Sequence, residues 1–242
     1  MKLILNFLLY VIDFNHKKKI LKFLKKSFSN KSLIIIDIGA HHGETLKIFV
    51  KHFKINQIIC YEASKENFLK LNQLTSDLRT KKLNIKIFNK AIGDTKRSVT
   101  FNQTSESSSS TFSKINFETT YFKRKNSILK FFLNKNYISK SYELELNTLK
   151  SEIELNKLQS IDLIKIDTEG FEFEIIKGLQ DSINLIKYIY FEHHFDQMIV
   201  KNYTLRDINQ LLIKAGFEKV FKIKMPLRKT FEYIYVNKRN YV

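Results

Sequence analysis

The chain has 242 residues, 43% hydrophobic and 27% charged, with a single cysteine. That length suits one large α/β domain or two small ones, and the lone Cys60 excludes an internal disulfide framework, reads as a small buried hydrophobe and suits a reducing cytosol. A net charge of +18 invites an anionic partner, nucleic acid or membrane, yet outside the runs 17–19, 25–26 and 123–125 the basic residues are scattered, as on a solvated surface.

From the N-terminus, residues 2–28 begin apolar (Leu3 to Ile12) and continue with Ile20, Leu21, Phe23 and Leu24 between lysines. This predicts one or two amphipathic helices, packed on the domain or laid against a membrane surface. No basic cluster precedes the apolar start and no small-residue cleavage site follows it, so it does not read as a signal peptide. No stretch reaches the roughly 18 apolar residues of a membrane span. The expected location is cytoplasmic, with peripheral contact at the inner face of a membrane open to this segment.

Leu33–Ile38 is an apolar run broken only by Asp37, the pattern of a parallel strand buried on both faces. Glu44–Phe53 has helical spacing, Gln57–Tyr61 is a second strand, and Lys65–Leu78 a second helix with Ser64 placed to cap it. Asn84–Asn89 alternates as a third strand, followed by a short one at Ser98–Phe101. The rhythm breaks at about 103–136 in a Ser/Thr-rich loop, Thr104–Ser113, and a basic aromatic stretch, Phe117–Leu133, that fits no periodic template. It resumes with a strand at Tyr142–Leu146, a helix at 148–157, a strand at Ile161–Ile166 and a helix at Phe171–Lys177 stopped by Gly178. A strand at Ile186–Phe191, a helix at Leu205–Lys214 closed by Gly216, and an antiparallel pair, Lys219–Lys224 with Phe231–Val236, complete the chain. The expected architecture is α/β: a mostly parallel seven-stranded sheet with helices on both faces and a C-terminal antiparallel hairpin. It comprises an N-terminal amphipathic helical segment, 1–30, and one domain, 31–242, with an insertion at about 103–136.

The chemistry-bearing residues fall at carboxyl ends of strands, where ligands of such sheets bind. Asp37-Ile38-Gly39-Ala40-His41-His42-Gly43 reads as a tight turn into a helix start, whose free N–H groups suit a carboxylate or phosphate. A dinucleotide loop would want glycine where His41 and Glu44 stand, and Glu44 disfavours a pyrophosphate. An ammonium beside a carboxylate, as at the amino-acid end of S-adenosylmethionine, fits better, with Asp37 accepting from the ammonium directly or through water. Glu62, 25 positions after Asp37, is placed to accept both hydroxyls of a ribose. Asp167, Glu169 and Glu172 crowd three carboxylates into six residues, which protons, cations or lysines must compensate. The acidic helix start explains the last two, but not Asp167. Glu192-His193-His194 closes the next strand, and His193 is a candidate general base. His193 could also join Asp167 as a metal ligand, a minority reading because no ligand set is complete, so no metal site is expected.

Asp37-Ile-Gly-Ala-His-His-Gly, Tyr61-Glu-Ala63, Asn89-Lys-Ala91-Ile92-Gly-Asp94, Thr148-Leu149 and Ile161-Asp-Leu-Ile-Lys-Ile-Asp167-Thr-Glu-Gly-Phe-Glu172 together resemble the FkbM family of methyltransferases over about residues 33–195. Family members often carry Asn at His41 and Asp at Lys150. The resemblance implies a Rossmann-like class I methyltransferase fold, S-adenosylmethionine as donor, and transfer to an oxygen, often a hydroxyl of a sugar, glycan or polyketide. It implies a cofactor site of Asp37, Gly39, Ala40, His41, Gly43, Glu62 and Ala63, with Ala91 and Ile92 bordering the adenine and Ser109 or Ser110 approaching from the loop. Asp167 or His193 would then take the proton of a small-molecule or glycan acceptor. Two alternatives follow from the charge: a nucleic-acid methyltransferase, disfavoured because Asp167-Thr-Glu-Gly stands where an Asn/Asp-Pro-Pro-aromatic run is usual, and a non-catalytic basic adaptor of the same fold. The sequence gives no oligomeric state.

Overall fold

The structure, a computed structural model, describes residues 2–29, 31–79, 83–105, 107–133, 137–226 and 228–240. Helix α1 (Lys2–Ser27) leads into β1 (Ser32–Ile38), α2 (Glu44–His52), β2 (Lys54–Tyr61), α3 (Lys65–Arg79) and β3 (Ile85–Phe88). Strands β4 (Ala91–Gly93), β5 (Ser98–Thr104) and β6 (Lys114–Ile115) precede helix α4 (Thr120–Leu133). There follow β7 (Ile138–Thr148), α5 (Leu149–Leu155), β8 (Ile161–Ile166), α6 (Glu172–Lys177), β9 (Ile186–His194) and β10 (Ile199–Val200). Helix α7 (Leu205–Lys214), β11 (Phe217–Lys224) and β12 (Thr230–Asn237) end the described fold.

Seven strands form the central sheet in the order β11-β12-β9-β8-β1-β2-β3, parallel from β9 to β3, with β12 and β11 antiparallel. The strand runs are apolar on both sides because both sides are covered. On one face Ile36, Ile164 and Phe191 pack with Ile153 of α5, Ile175 of α6 and Leu212 of α7. On the other, Leu33, Ile35 and Leu163 pack with Leu46 of α2, Leu71 of α3, and Ile20 and Leu24 of α1. Residues 16, 20, 24 and 28 of the N-terminal segment are buried at intervals of four, one stripe of a helix lying on the sheet. Cys60 is fully buried in this second core, and burial pushes its thiol well up, which makes it inert at neutral pH.

Successive connections lead from β1 outward to β2 and β3, and the chain then returns to place β8 on β1's other side. The carboxyl ends of β1 and β8 are therefore the switch point, where helices diverge and leave a crevice. A three-stranded sheet, β4-β7-β5, lies beside it. The aromatic stretch that fits no template is α4, which contributes Phe122 to a small separate cluster with Ile115, Tyr137, Met198 and Ile199.

Candidate functional site

A cleft opens at the switch point, lined by Gly39, His41, Glu62, Ala63, Ile92, Ser110, Asp167 and Glu169 among others. Its floor is the Asp37–Gly43 turn. Gly39 has φ +79, and a Cβ there would fall 1.9 Å from the Asp167 carbonyl oxygen, so only glycine lets the ends of β1 and β8 approach this closely. The turn is fixed across the sheet by Gly39 N–H and Ala40 N–H, which both donate to the Tyr61 carbonyl at 2.9 and 3.1 Å. His41 takes a left-handed φ of 49°, stacks on His42 with ring centroids 3.6 Å apart, and lies 2.8 Å from Ser107 Oγ and 3.1 Å from Glu44 Oε1.

Glu62 ends the run after β2. Its two carboxylate oxygens accept from His41 N–H (2.8 Å) and Ser64 N–H (2.9 Å). Burial raises its pKa despite these bonds. The bonds lock the carboxylate in one orientation and leave lone pairs directed away from them, since a carboxylate has about four acceptor positions. The Ser-rich loop closes the cleft from above, held to the opposite wall by Thr111 Oγ1 donating to the Glu169 carbonyl (2.7 Å) and Ser113 Oγ to the Gly170 carbonyl (2.9 Å).

Asp37 is fully buried directly beneath the cleft and neither of its oxygens has a hydrogen-bond partner among the described groups. Burial pushes its pKa up to about 6, against the pull of Lys165, whose ammonium lies 3.9 Å away. The same ammonium donates to Asp167 at 2.8 Å. Burial would raise Asp167 as well, but Lys165 outweighs it and holds the carboxyl below its usual range. Glu172 accepts from Gly170 N–H at 2.9 Å and from the Tyr203 hydroxyl at 2.5 Å, so it fixes the turn after Asp167 instead of facing the cleft.

The expected residues are therefore only partly gathered. Gly39, His41, Glu62, Ala63, Ile92, Ser110 and Asp167 line the cleft. Ala40 and Ala91 are buried behind it, and Gly43 sets the start of α2 against Leu71 and Leu74. His193 is not at the lining. It lies on the α7 face of β9 against Phe195 and Tyr203, and burial, with Lys201 and His194, pulls its pKa down to about 3. Alternation along β9 sends His194 the other way, where its Nε2 comes within 3.1 Å of Glu169 and 3.2 Å of Glu192. Neither histidine is among the residues that line the cleft. A period of two carried through Glu192 to the end of the strand separates them. The extension of β9 to His194 also brings Glu169, Glu192 and His194 into a set with metal-ligand spacing, where no site was expected.

Several solved structures share the fold. Magnesium protoporphyrin IX methyltransferase (ChlM) from Synechocystis PCC 6803, with bound SAM, superposes with TM-score 0.52 at 8% identity over 94% of this chain and 81% of that one. TrmK of M. capricolum, in complex with S-adenosyl-homocysteine, gives 0.51 at 10% identity over 90% and 67%. Methyltransferase FkbM from Methylobacillus flagellatus KT gives 0.51 at 15% identity over 84% of this chain, which spans 44% of that longer chain. No curated protein matches the sequence. The model of the methyltransferase FkbM domain matches residues 37–219, from the aspartate beneath the cleft to the start of the C-terminal hairpin. With that match over most of its length and a class I methyltransferase fold around the cleft, the chain belongs to the FkbM family of S-adenosylmethionine-dependent methyltransferases.

Proposed function

We propose that the cleft seats S-adenosylmethionine above the Asp37–Gly43 turn and that the methyl group passes to a hydroxyl of a sugar, glycan or related natural product. The observation that carries the acceptor class is the sign of the lining. Glu62, Asp167 and Glu169 face the cleft of a chain whose net charge is +18, and the one lysine among the lining residues, Lys90, is paired with Glu152. Carboxylates accept hydrogen bonds from hydroxyls and repel phosphodiesters, so this lining favours a polyhydroxylated acceptor over nucleic acid.

The residues fit the donor. Glu62, oriented by two backbone amides, has lone pairs left for the two ribose hydroxyls. Ala63 and Ile92, with Ala91 behind, give an apolar border for the adenine, and Ser110 closes over it. The unpartnered carboxylate of Asp37 answers the ammonium, through water. S-adenosylmethionine supplies an activated methyl group on a sulfonium. The protein's part is mainly to hold the acceptor oxygen in line with it. Asp167, kept ionised by Lys165, accepts a hydrogen bond from the acceptor hydroxyl; as the O–CH3 bond forms and the S–CH3 bond breaks to release S-adenosylhomocysteine, the oxygen's proton becomes strongly acidic and passes to this carboxylate. His193, buried away from the lining, has no part in this scheme.

Incubation with methyl-labelled S-adenosylmethionine and a panel of glycans, hydroxylated small molecules and RNA tests the reading. Label in an O-methyl group of a glycan or small molecule supports it. Label confined to RNA overturns the acceptor class, and no binding of the donor at millimolar concentration overturns the whole.

A further inference from the structure

We infer that Glu169, Glu192 and His194 form a binding site for one divalent cation of the Mn2+ or Zn2+ type at the Asp167–Glu169 edge of the cleft. The inference rests on the methyltransferase reading only for what the ion would do, not for its binding. Three ligand atoms, one from each side chain, lie within 4.8 Å of one another. His194 Nε2 stands 3.1 Å from Glu169 Oε2 and 3.2 Å from Glu192 Oε1. Two ligands about 2.1 Å from one ion and at right angles to each other are about 3 Å apart, so the spacing is that of adjacent ligands.

The state of His194 points the same way. The residue is 8% exposed, and its Nε2 is buried with no hydrogen bond of acceptable geometry, although it is aimed between two carboxylates. Its other nitrogen, Nδ1, is 3.1 Å from the Thr230 hydroxyl and 3.6 Å from Asp196. A hydroxyl and a carboxylate on Nδ1 fix the ring and leave the Nε2 lone pair facing inward, as in metal-ligating histidines oriented by an outer carboxylate. Two carboxylates facing one buried imidazole nitrogen call for a positive charge at their centre, a proton or a bound cation. Glu169 reaches this position from a left-handed backbone, φ 51°, beside Gly170.

Two carboxylates and one imidazole suit a borderline first-row ion better than Mg2+ or Cu+. Glu169 lines the cleft, so the remaining positions on the ion would face the acceptor, where they can draw in a hydroxyl oxygen and help it release its proton to Asp167.

The test is titration of the purified full chain with Mn2+, followed by loss of the free-ion electron paramagnetic resonance signal, with S-adenosylmethionine binding measured by calorimetry on the same samples. The expected result is one Mn2+ per chain at sub-millimolar concentration, weakened at least tenfold in Glu169→Gln and in Glu192→Gln. Glu44→Gln, in the more exposed His41–His42–Glu44 set, should leave the Mn2+ affinity unchanged. Should Glu192→Gln fail to fold, Glu169→Gln decides alone, because its side chain lies at the cleft edge. Wild-type chain that binds no Mn2+ below 1 mM, variants that bind as well as wild type, or binding abolished by Glu44→Gln would each overturn the cation site. Donor binding without Mn2+ binding sinks only the cation site, and Mn2+ binding without donor binding sinks only the methyltransferase reading.

Discussion

The ammonium of Lys165 lies 2.8 Å from the Asp167 carboxylate, on the adjacent rung of the sheet from Asp37, with only 6% of the residue exposed. One buried cation thus serves the carboxyl ends of two neighbouring strands. Lys165→Met keeps the length of the side chain and removes the charge. Breaking a buried pair leaves uncompensated charge and costs about 3 kcal/mol or more. The loss should be large at pH 7, where the carboxylates are ionised, and much smaller at pH 4. Chemical denaturation at the two pH values measures it, and an equal loss at both would mean that Lys165 acts through packing alone.

Asp37 makes its own pH signature. Its pKa is raised from 3.8 to about 6, so the folded chain holds this proton more tightly than the unfolded one. That contribution to stability is complete below about pH 4 and is lost as the pH rises through about 6. Two pKa units correspond to about 3 kcal/mol, an upper figure for a group this close to Lys165. Asp37→Asn should flatten the stability curve between pH 4 and 6.5. The donor's ammonium prefers the ionised carboxylate, so wild-type affinity for S-adenosylmethionine should rise over the same interval and the variant's should not. A flat wild-type profile in calorimetry would contradict the role given to Asp37.

Glu62→Gln tests the ribose contact. The amide brings an NH2 group to a place where His41 and Ser64 already offer N–H donors, so one oxygen must serve both. Losing a charge-assisted hydrogen bond of about 1.5–3 kcal/mol should weaken donor binding about 10- to 100-fold. An unchanged dissociation constant, with the fold intact, would leave Glu62 as a loop-fixing residue only.

The parts of the fold legible in the sequence are those where one physical cause acts alone. Leu33–Ile38, Ile161–Ile166 and Ile186–Phe191 are buried on both sides and read as strands without help from context. Strand β2 is three residues longer at its start than the run Gln57–Tyr61 suggests, because Lys54 and Asn56 are exposed there. Helix α4 was illegible for a different reason: Phe122 serves a small cluster away from the main core, so no broad apolar stripe marks the helix. At the site, Glu62 and Asp167 were legible because each follows an apolar strand directly. The placement of His193 against Tyr203 and of His194 against Glu169, on opposite faces of β9, was hidden, since three polar residues in a row mask a strand's alternation. Lys165 as the shared cation needed the register of β1 on β8, which no local pattern carries.

Gly178 is a case where sequence and structure agree on the residue and differ on the cause. A glycine after Lys177 reads as a left-handed helix stop, yet its φ is −66°, an angle any residue adopts. On backbone grounds alone, Gly178→Ala should stabilise the chain by about 0.4–1 kcal/mol, by restricting the unfolded state. The neighbours reverse that sign. A Cβ at this position would lie 2.0 Å from the Gly93 carbonyl oxygen and 3.3 Å from the Asp94 Cα, both parts of main chain that cannot swing aside like a side-chain tip. Strain of this kind costs about 1–3 kcal/mol, so the net effect expected is destabilisation. Because Gly93 follows Ile92, the displaced strand β4 would also disturb the cleft wall, and donor affinity should fall together with the denaturation midpoint. A variant as stable as wild type or more so would show that β4 yields freely, and that the close approach of Gly178 to Gly93 does not hold the adenine border in place.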